Sequence, residues 1–282
     1  MKKYKSNFGI DKLEITYKLS DDIINLLQGE EIDLIDFKLS INNNNSKFKI
    51  CYNIIAPTIS NNETKFIEWG KIYYGSYDYF KNQLYISVNN EILYRSELSY
   101  LYYIEETLNL KFMNINKIDF AFDVNYNVIN KFIKLIKDKN FDFVILNKKI
   151  TDMKQEMNEL LFISKGTREN LQKHKSIYIQ NKERGLSLCI YNKLKEIEDN
   201  KNEKQYILDE LKFTPIYRIE VRTIYHILKD TLIKLNITNE DLYYNLLNKE
   251  KLFEIYNNLL NRIIRINYNN ISYNLINILF NI

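Results

Sequence analysis

Apolar residues recur at every second position in several stretches of this chain, a spacing that predicts strands with one buried face. In 11-DKLEITYK-18, Leu13, Ile15 and Tyr17 share a side. Residues 83–88 (QLYISV) repeat the pattern. So does 118-IDFAFDV-124, where Ile118, Phe120, Phe122 and Val124 oppose Asp119, Ala121 and Asp123. Segments 175–182 and 186–193 read as a hairpin turning through Glu183-Arg184-Gly185. After Pro215, 216-IYRIEVRT-223 alternates Tyr217, Ile219 and Val221 with Arg218, Glu220 and Arg222. Residues 141–147 (FDFVILN) read as a further strand.

Elsewhere the period lengthens to three or four, the spacing of one helix face. A helix is predicted over 96–109, with Ser96 as N-cap and Leu98, Leu101, Ile104 and Leu108 on its stripe. Another is predicted at about 128–138, carrying Ile129, Phe132, Ile133 and Ile136. The charged stretch 194–212 reads as helical. From about 224 the chain reads as helix, with Leu242, Leu246, Leu259, Ile263 and Ile266 as core positions. The run 42-NNNN-45 predicts a loop tip, and 151–173 is polar without a clear period. Together these elements predict an α+β fold of antiparallel sheets backed by helices. The expected division is an N-terminal α+β half over 1–110, a catalytic α+β half over 111–223 and a helical segment over 224–282.

Composition narrows the class. With 45% hydrophobic and 27% charged residues over 282 positions, the chain can bury a proper core. The opening MKKYKSNFGIDKLEI has no continuous apolar run, so no secretion signal is expected, and no window predicts a membrane span. Two cysteines, Cys51 and Cys189, give neither a disulfide framework nor metal-site spacing. A reducing cytoplasm is the expected compartment. The net charge of +4 permits a nucleic-acid partner without demanding one. The 23 tyrosines and 15 phenylalanines accompany abundant Asn, Ile and Lys. That bias follows AT-rich coding, so aromatic abundance is not evidence of base stacking.

The polar faces of three strands carry the chemistry. One offers Asp119 and Asp123, the second Tyr191 and Lys193, the third Arg218, Glu220 and Arg222. Were the strands neighbours in one sheet, these side chains would converge on its open face. Carboxylates hold hard cations through oxygen. A cation polarises a phosphodiester, and Lys and Arg neutralise charge growing on its oxygens. A tyrosine oxygen can attack phosphorus and form a covalent ester. Phenol, with a pKa of about 10, needs help to deprotonate. Each residue also has an ordinary use: packing for a strand tyrosine, solvation for the aspartates, a surface ladder for Arg-x-Glu-x-Arg, an exposed helix position for Glu196.

The order and wording of these segments add to that reading. "INKIDFAFDV", a helix, "LSLCIYNKLKE", then "YRIEVRT" followed by helices resembles the replication initiation factor family. Its members are initiators of rolling-circle plasmids of the staphylococcal type and related conjugative-element relaxases. There an "RLDLAFD"-like strand precedes an "IRIYNKxxE"-like strand and then an "RVEIEL"-like one. The resemblance spans roughly 96–230, with a weaker echo in "DKLEITY". It implies Tyr191 as the nicking nucleophile, and Lys193 and Arg218 as basic site residues. It implies Asp119, Asp123, Glu196 and Glu220 as acidic positions around Mg or Mn, and two TBP-like halves gripping DNA, often in a homodimer. Three positions depart from the pattern: Lys117 stands for an arginine, Cys189 for a basic residue, and 180-QNKERG-185 for a Gly-x-x-x-Ser turn.

The expected function is therefore a replication initiator. It would nick and rejoin one strand at a rolling-circle origin through a 5′-phosphotyrosine, leaving a 3′-OH for host helicase and polymerase. No P-loop pattern is present, and a phosphotyrosine conserves the bond energy without ATP. A relaxase that starts conjugative transfer would use the same chemistry. A non-catalytic DNA-binding regulator would not need the tyrosine hydroxyl, and a water-using metal nuclease would leave no adduct. Contacts to DNA are expected from Arg222 and from Arg262 and Arg265, which lie with Lys251 among apolar C-terminal residues; solvated helix edges are the alternative for those three.

Overall fold

A computed structural model describes residues 4–280 apart from 28–29, 44–47, 49, 61–62, 76–81, 96, 151–175, 182–184, 201–203 and 270. The Ser96 cap, the 151–173 stretch, most of the 183–185 turn and part of the asparagine run therefore lie outside the described residues. In chain order the strands are β1 (Ser6–Lys18), β2 (Ile32–Asp33), β3 (Lys38–Ile41), β4 (Ile50–Ser60), β5 (Glu63–Tyr74), β6 (Gln83–Val88), β7 (Lys111–Val124), β8 (Phe141–Ile145), β9 (Lys148–Ile150), β10 (Ile177–Asn181), β11 (Leu186–Asn192), β12 (Tyr217–Ile224), β13 (Ile264–Tyr268) and β14 (Ile271–Tyr273). The helices are α1 (Asp21–Leu26), α2 (Asn90–Tyr94), α3 (Ser99–Thr107), α4 (Val128–Lys137), α5 (Lys193–Asp199), α6 (Gln205–Leu211), α7 (Tyr225–Lys234), α8 (Asn239–Tyr244), α9 (Lys249–Ile263) and α10 (Leu275–Phe280). The fold is α+β, and every strand pair whose register is described is antiparallel. No helix among the described residues is long and apolar enough to cross a membrane.

The chain forms two compact units, and their bounds differ from cuts at 110 and 224. The first comprises residues 1–10, 119–238 and 248–282, the second 11–118 and 239–247. β1 and β7 each run through the division. A linear reading of the chain misses this because a strand pairs with neighbours far away in sequence.

In the second unit the strand order is β7-β1-β6-β5-β4-β3-β2. Leu13, Ile15 and Tyr17 are buried as their alternation requires. The predicted 96–109 helix is shorter, running from an N-cap at Leu98 to a C-cap at Leu108, and a separate helix, α2, precedes it; the Asn89 side chain caps α2 by accepting from the Glu91 N–H at 3.0 Å. α8 belongs to this unit, burying Leu242 and Tyr243, and the Asn239 side chain accepts a hydrogen bond from the Ile115 N–H at 3.2 Å.

In the first unit β10, β11, β12 and β7 are neighbours in that order. β10 and β11 form the predicted hairpin. Gly185, just before β11, has φ +60°, and a Cβ there would lie 2.2 Å from the Ile224 side chain, so glycine is favoured at this position. α4 and α9 pack on β11 and β12, and α7 on β12. Phe120 and Phe122 of β7 meet Tyr256 of α9, with Phe253 beside it. A second sheet runs β14-β13-β8-β9.

The C-terminal segment is thus not all helix. Ile264 and Ile266 are buried while Arg265 is exposed, a period of two that takes over after α9 ends at Ile263. The 194–212 stretch likewise resolves into α5 and α6.

Candidate active site

The sequence Tyr191-Asn192-Lys193 is a strand end joined directly to a helix start. The Asn192 side chain accepts from the Lys195 N–H at 3.0 Å and caps α5. Lys193 therefore sits in the first turn of α5 rather than on the polar face of β11. The Lys193 N–H donates to the Ile216 carbonyl at 2.9 Å, which fixes the start of α5 just ahead of β12.

Along β11 and β12 the registered pairs are Ser187 with Arg222, Cys189 with Glu220, and Tyr191 with Arg218. These residues share one face, and β7 lies on the other side of β12. That face is not open. Asp119, Asp123, Arg218, Glu220 and Lys193 are all buried, whereas Tyr191 and Arg222 keep partial exposure. Burial is tolerable because acids and bases meet closely; an uncompensated charge there would be far more costly.

The charges fall into three groups. Deepest, Arg218 donates from Nε and Nη2 to the two carboxylate oxygens of Asp123, at 2.8 and 2.9 Å. Both residues are at most 1% exposed, so this is a buried bidentate pair rather than a surface ladder. In the second group the Tyr191 hydroxyl donates to Glu220 Oε2 at 2.7 Å. Arg222 Nε donates to Glu220 Oε1 at 2.5 Å. Burial works against the charge on Arg222, but Glu220 and the neighbouring Asp119 outweigh it and its pKa is raised. In the third group Lys193 Nζ lies 2.6 Å from Glu196 Oε2 and Lys204 Nζ lies 2.9 Å from Glu196 Oε1. Burial alone would raise the Glu196 pKa; the two lysines reverse that and hold it below the ordinary value. Lys193 Nζ also stands 5.8 Å from the Tyr191 ring centroid, which joins the second and third groups.

Cys189 shares the face but is chemically quiet. Burial pushes its thiol up to about 12, so it stays protonated.

The acids expected around a metal lie in three places rather than one. Asp123 faces Arg218, Glu196 faces two lysines, and Glu220 is shared by Tyr191 and Arg222. Asp119 lies within electrostatic reach of Cys189 and Arg222. Among the described residues no group of three His, Cys, Asp or Glu side chains is placed to hold a metal ion. These four carboxylates, as arranged, do not fit a shared cation.

The residues expected to contact DNA separate as well. Arg222 is part of the site. Arg262 donates from Nη1 to the Ile227 carbonyl at 3.0 Å and to Thr231 Oγ1 at 2.7 Å, tying α9 to α7. Arg265 is exposed on β13, not on a helix, and reaches Asn147 Oδ1 at 3.3 Å. Lys204, which completes the Glu196 group, was not read from sequence; it has no fixed spacing from Tyr191 that could have pointed to it.

No family model matches the chain, and no curated protein matches it. Among solved structures, a rolling circle replication initiator protein from Geobacillus stearothermophilus superposes with a TM-score of 0.46 at 13% identity, over 93% of this chain and 86% of that one. Likeness at this level leaves function to the chemistry of the site.

Proposed function

We propose that the protein nicks and rejoins one DNA strand through a covalent phosphotyrosine at Tyr191, and that this starts rolling-circle replication. One observation carries the reading. Among the described tyrosines, Tyr191 is the one whose hydroxyl is bonded to a carboxylate on a strand face that also holds two arginines, with a lysine over its ring. The sequence order that resembles the replication initiation factor family places its nucleophile at the same residue.

The chemistry follows from the groups at hand. The Tyr191 hydroxyl already donates to Glu220, a carboxylate able to take its proton. Its oxygen attacks the phosphodiester phosphorus, the bond to the 3′ oxygen breaks, and that oxygen leaves as a 3′-OH after taking a proton from solvent. Arg222, with its side chain 42% exposed, can reach a phosphate oxygen without leaving β12. Lys193 adds positive charge beside the phenol. The reverse reaction rejoins the strand. A half-buried nucleophile demands a substrate strand that can bend into the site, so single-stranded or melted origin DNA is the substrate. The free 3′-OH is what a host polymerase would extend behind a helicase. Arg265, exposed on β13, is the arginine available for a separate duplex contact.

The test uses single-stranded oligonucleotides tiled across the DNA flanking the coding sequence, with Mg²⁺, Mn²⁺ or chelator. The expected result is a labelled protein band that survives denaturant, maps to the peptide bearing Tyr191, and disappears in Tyr191→Phe while oligonucleotide binding persists. Cleavage without an adduct would mean a water-using nuclease. Binding with neither cleavage nor adduct would mean a regulator.

A further inference from the structure

We infer that Asp123 and Arg218 act together as a positioning pair that sets the Tyr191 nucleophile in place, and that Asp123 is not a cation ligand. The inference rests on the reading of Tyr191 as nucleophile. Arg218 is the registered partner of Tyr191 across β11 and β12. Its guanidinium turns away toward Asp123 of β7 and grips both carboxylate oxygens. Three adjacent strands are thereby locked at the level of the tyrosine: β11 through its register, β12 and β7 through the ion pair.

A carboxylate used by an arginine fork has its two strongest acceptor directions occupied. A cation would have to displace a guanidinium that has no water to turn to, since Arg218 is 0% exposed. The pair also sets the height of Glu220, two residues along β12 on the same face, and hence the bond from Tyr191 to Glu220. A shift of about 1 Å at such a site costs on the order of a hundredfold in rate. This is how a pair that touches neither DNA nor the reacting oxygen would control the reaction.

A positioning pair and a ligand can be told apart because a buried ion pair can be exchanged for apolar side chains of similar volume, whereas a ligand cannot. The variants are Asp123→Leu, Arg218→Met and the double Asp123→Leu/Arg218→Met. For each, adduct formation on the oligonucleotide, its kcat and KM, the melting temperature, and Mn²⁺ binding by calorimetry on the DNA-free protein are measured. Each single variant should melt roughly 10 °C lower, because it leaves one buried charge alone. Each should lose about a hundredfold in kcat with KM little changed. The double variant should recover its melting temperature and come back to within about threefold of the parent rate. Whatever Mn²⁺ affinity the parent shows should be unchanged throughout.

A double variant that melts like the parent but forms no adduct would overturn the inference, since the carboxylate would then be needed for chemistry. Loss of Mn²⁺ binding in Asp123→Leu would overturn it too, as would single variants that melt and react normally. If the parent itself forms no adduct, the nucleophile reading fails instead, and that outcome is distinct from all of these.

Discussion

A phenol hydrogen-bonded to a glutamate occurs in both units, and the two pairs are built for different ends. In the first unit Tyr191 is half-buried, and its partner Glu220 is buried and shared with Arg222. In the second unit the arrangement is inverted. Tyr243 of α8 is fully buried, and its hydroxyl donates to a partly exposed Glu105 of α3. Tyr17 of β1 lies 2.9 Å from the Tyr243 hydroxyl, and the Tyr102 hydroxyl donates to the Tyr243 carbonyl at 2.8 Å. Phe112 stacks on the same ring, its centroid 4.2 Å away. Burial drives the phenols of Tyr17 and Tyr243 well above their ordinary pKa. It also raises the carboxyl of Glu105, which the Tyr243 hydrogen bond only partly offsets. The bond type is the same. What differs is a guanidinium, which keeps a charge balanced beside a reachable hydroxyl in one unit; in the other the hydroxyl is sealed among rings and serves to dock α8.

That contrast can be broken in several ways. The largest effect should come from Glu220→Gln, which keeps a hydrogen-bond acceptor but cannot take the proton. Adduct formation should fall by about a hundredfold or more, while Glu105→Gln leaves it unchanged. Equal rates for the parent and Glu220→Gln, followed by denaturing gels, would erase the difference between the two glutamates. Next in size is stability. Tyr243→Phe leaves the buried Tyr17 hydroxyl and Glu105 without their shared partner and should cost about 1–3 kcal/mol in urea unfolding. Tyr191→Phe should cost less than about 1 kcal/mol, because Glu220 keeps its ion pair with Arg222 when the phenol hydroxyl is removed.

The smallest effect is on pH dependence, and its sign differs between the units. Glu105 has a raised pKa in the folded chain. Its favourable contribution is therefore complete below the unfolded carboxyl pKa and is lost as pH rises through the folded value. Glu196 has a lowered pKa. Its contribution is present above the unfolded value and is lost as pH falls through the folded one. Glu105→Gln should thus flatten the acid side of the melting profile in one direction and Glu196→Gln in the other. Each should move the melting temperature by only about 1–2 °C, since both carboxylates are screened by solvent. Profiles that move in the same direction would contradict the assignment.

Which residues share the candidate site's face in the first unit was legible because it lay in local alternation. Asp119 and Asp123, Ser187 to Tyr191, and Arg218 to Arg222 each follow a period of two, and that period survives any arrangement of the strands. Lys193 was misplaced because an asparagine cap ends β11 one residue before it. Arg262 and Arg265 sit three apart and read as one helix face, yet the chain changes from helix to strand between them, and one arginine ties α7 to α9 while the other is exposed on β13. In the second unit the β4–β5 hairpin and α2 were not read at all. Its phenol cluster gave no signal, since in a chain with 23 tyrosines the identity of Tyr17, Tyr102 and Tyr243 marks nothing by itself.

By itself, then, the sequence determined which residues share a strand face and which face is apolar, because side-chain direction along a strand depends only on parity. It could not decide which acid meets which base. That was settled by the lateral order of β11, β12 and β7, which puts a guanidinium and a carboxylate 95 residues apart within 3 Å and leaves the phenol of Tyr191 to Glu220. The physical reason is that ion pairing in a buried layer is governed by distance, and distance across a sheet is a property of strand neighbours rather than of the chain.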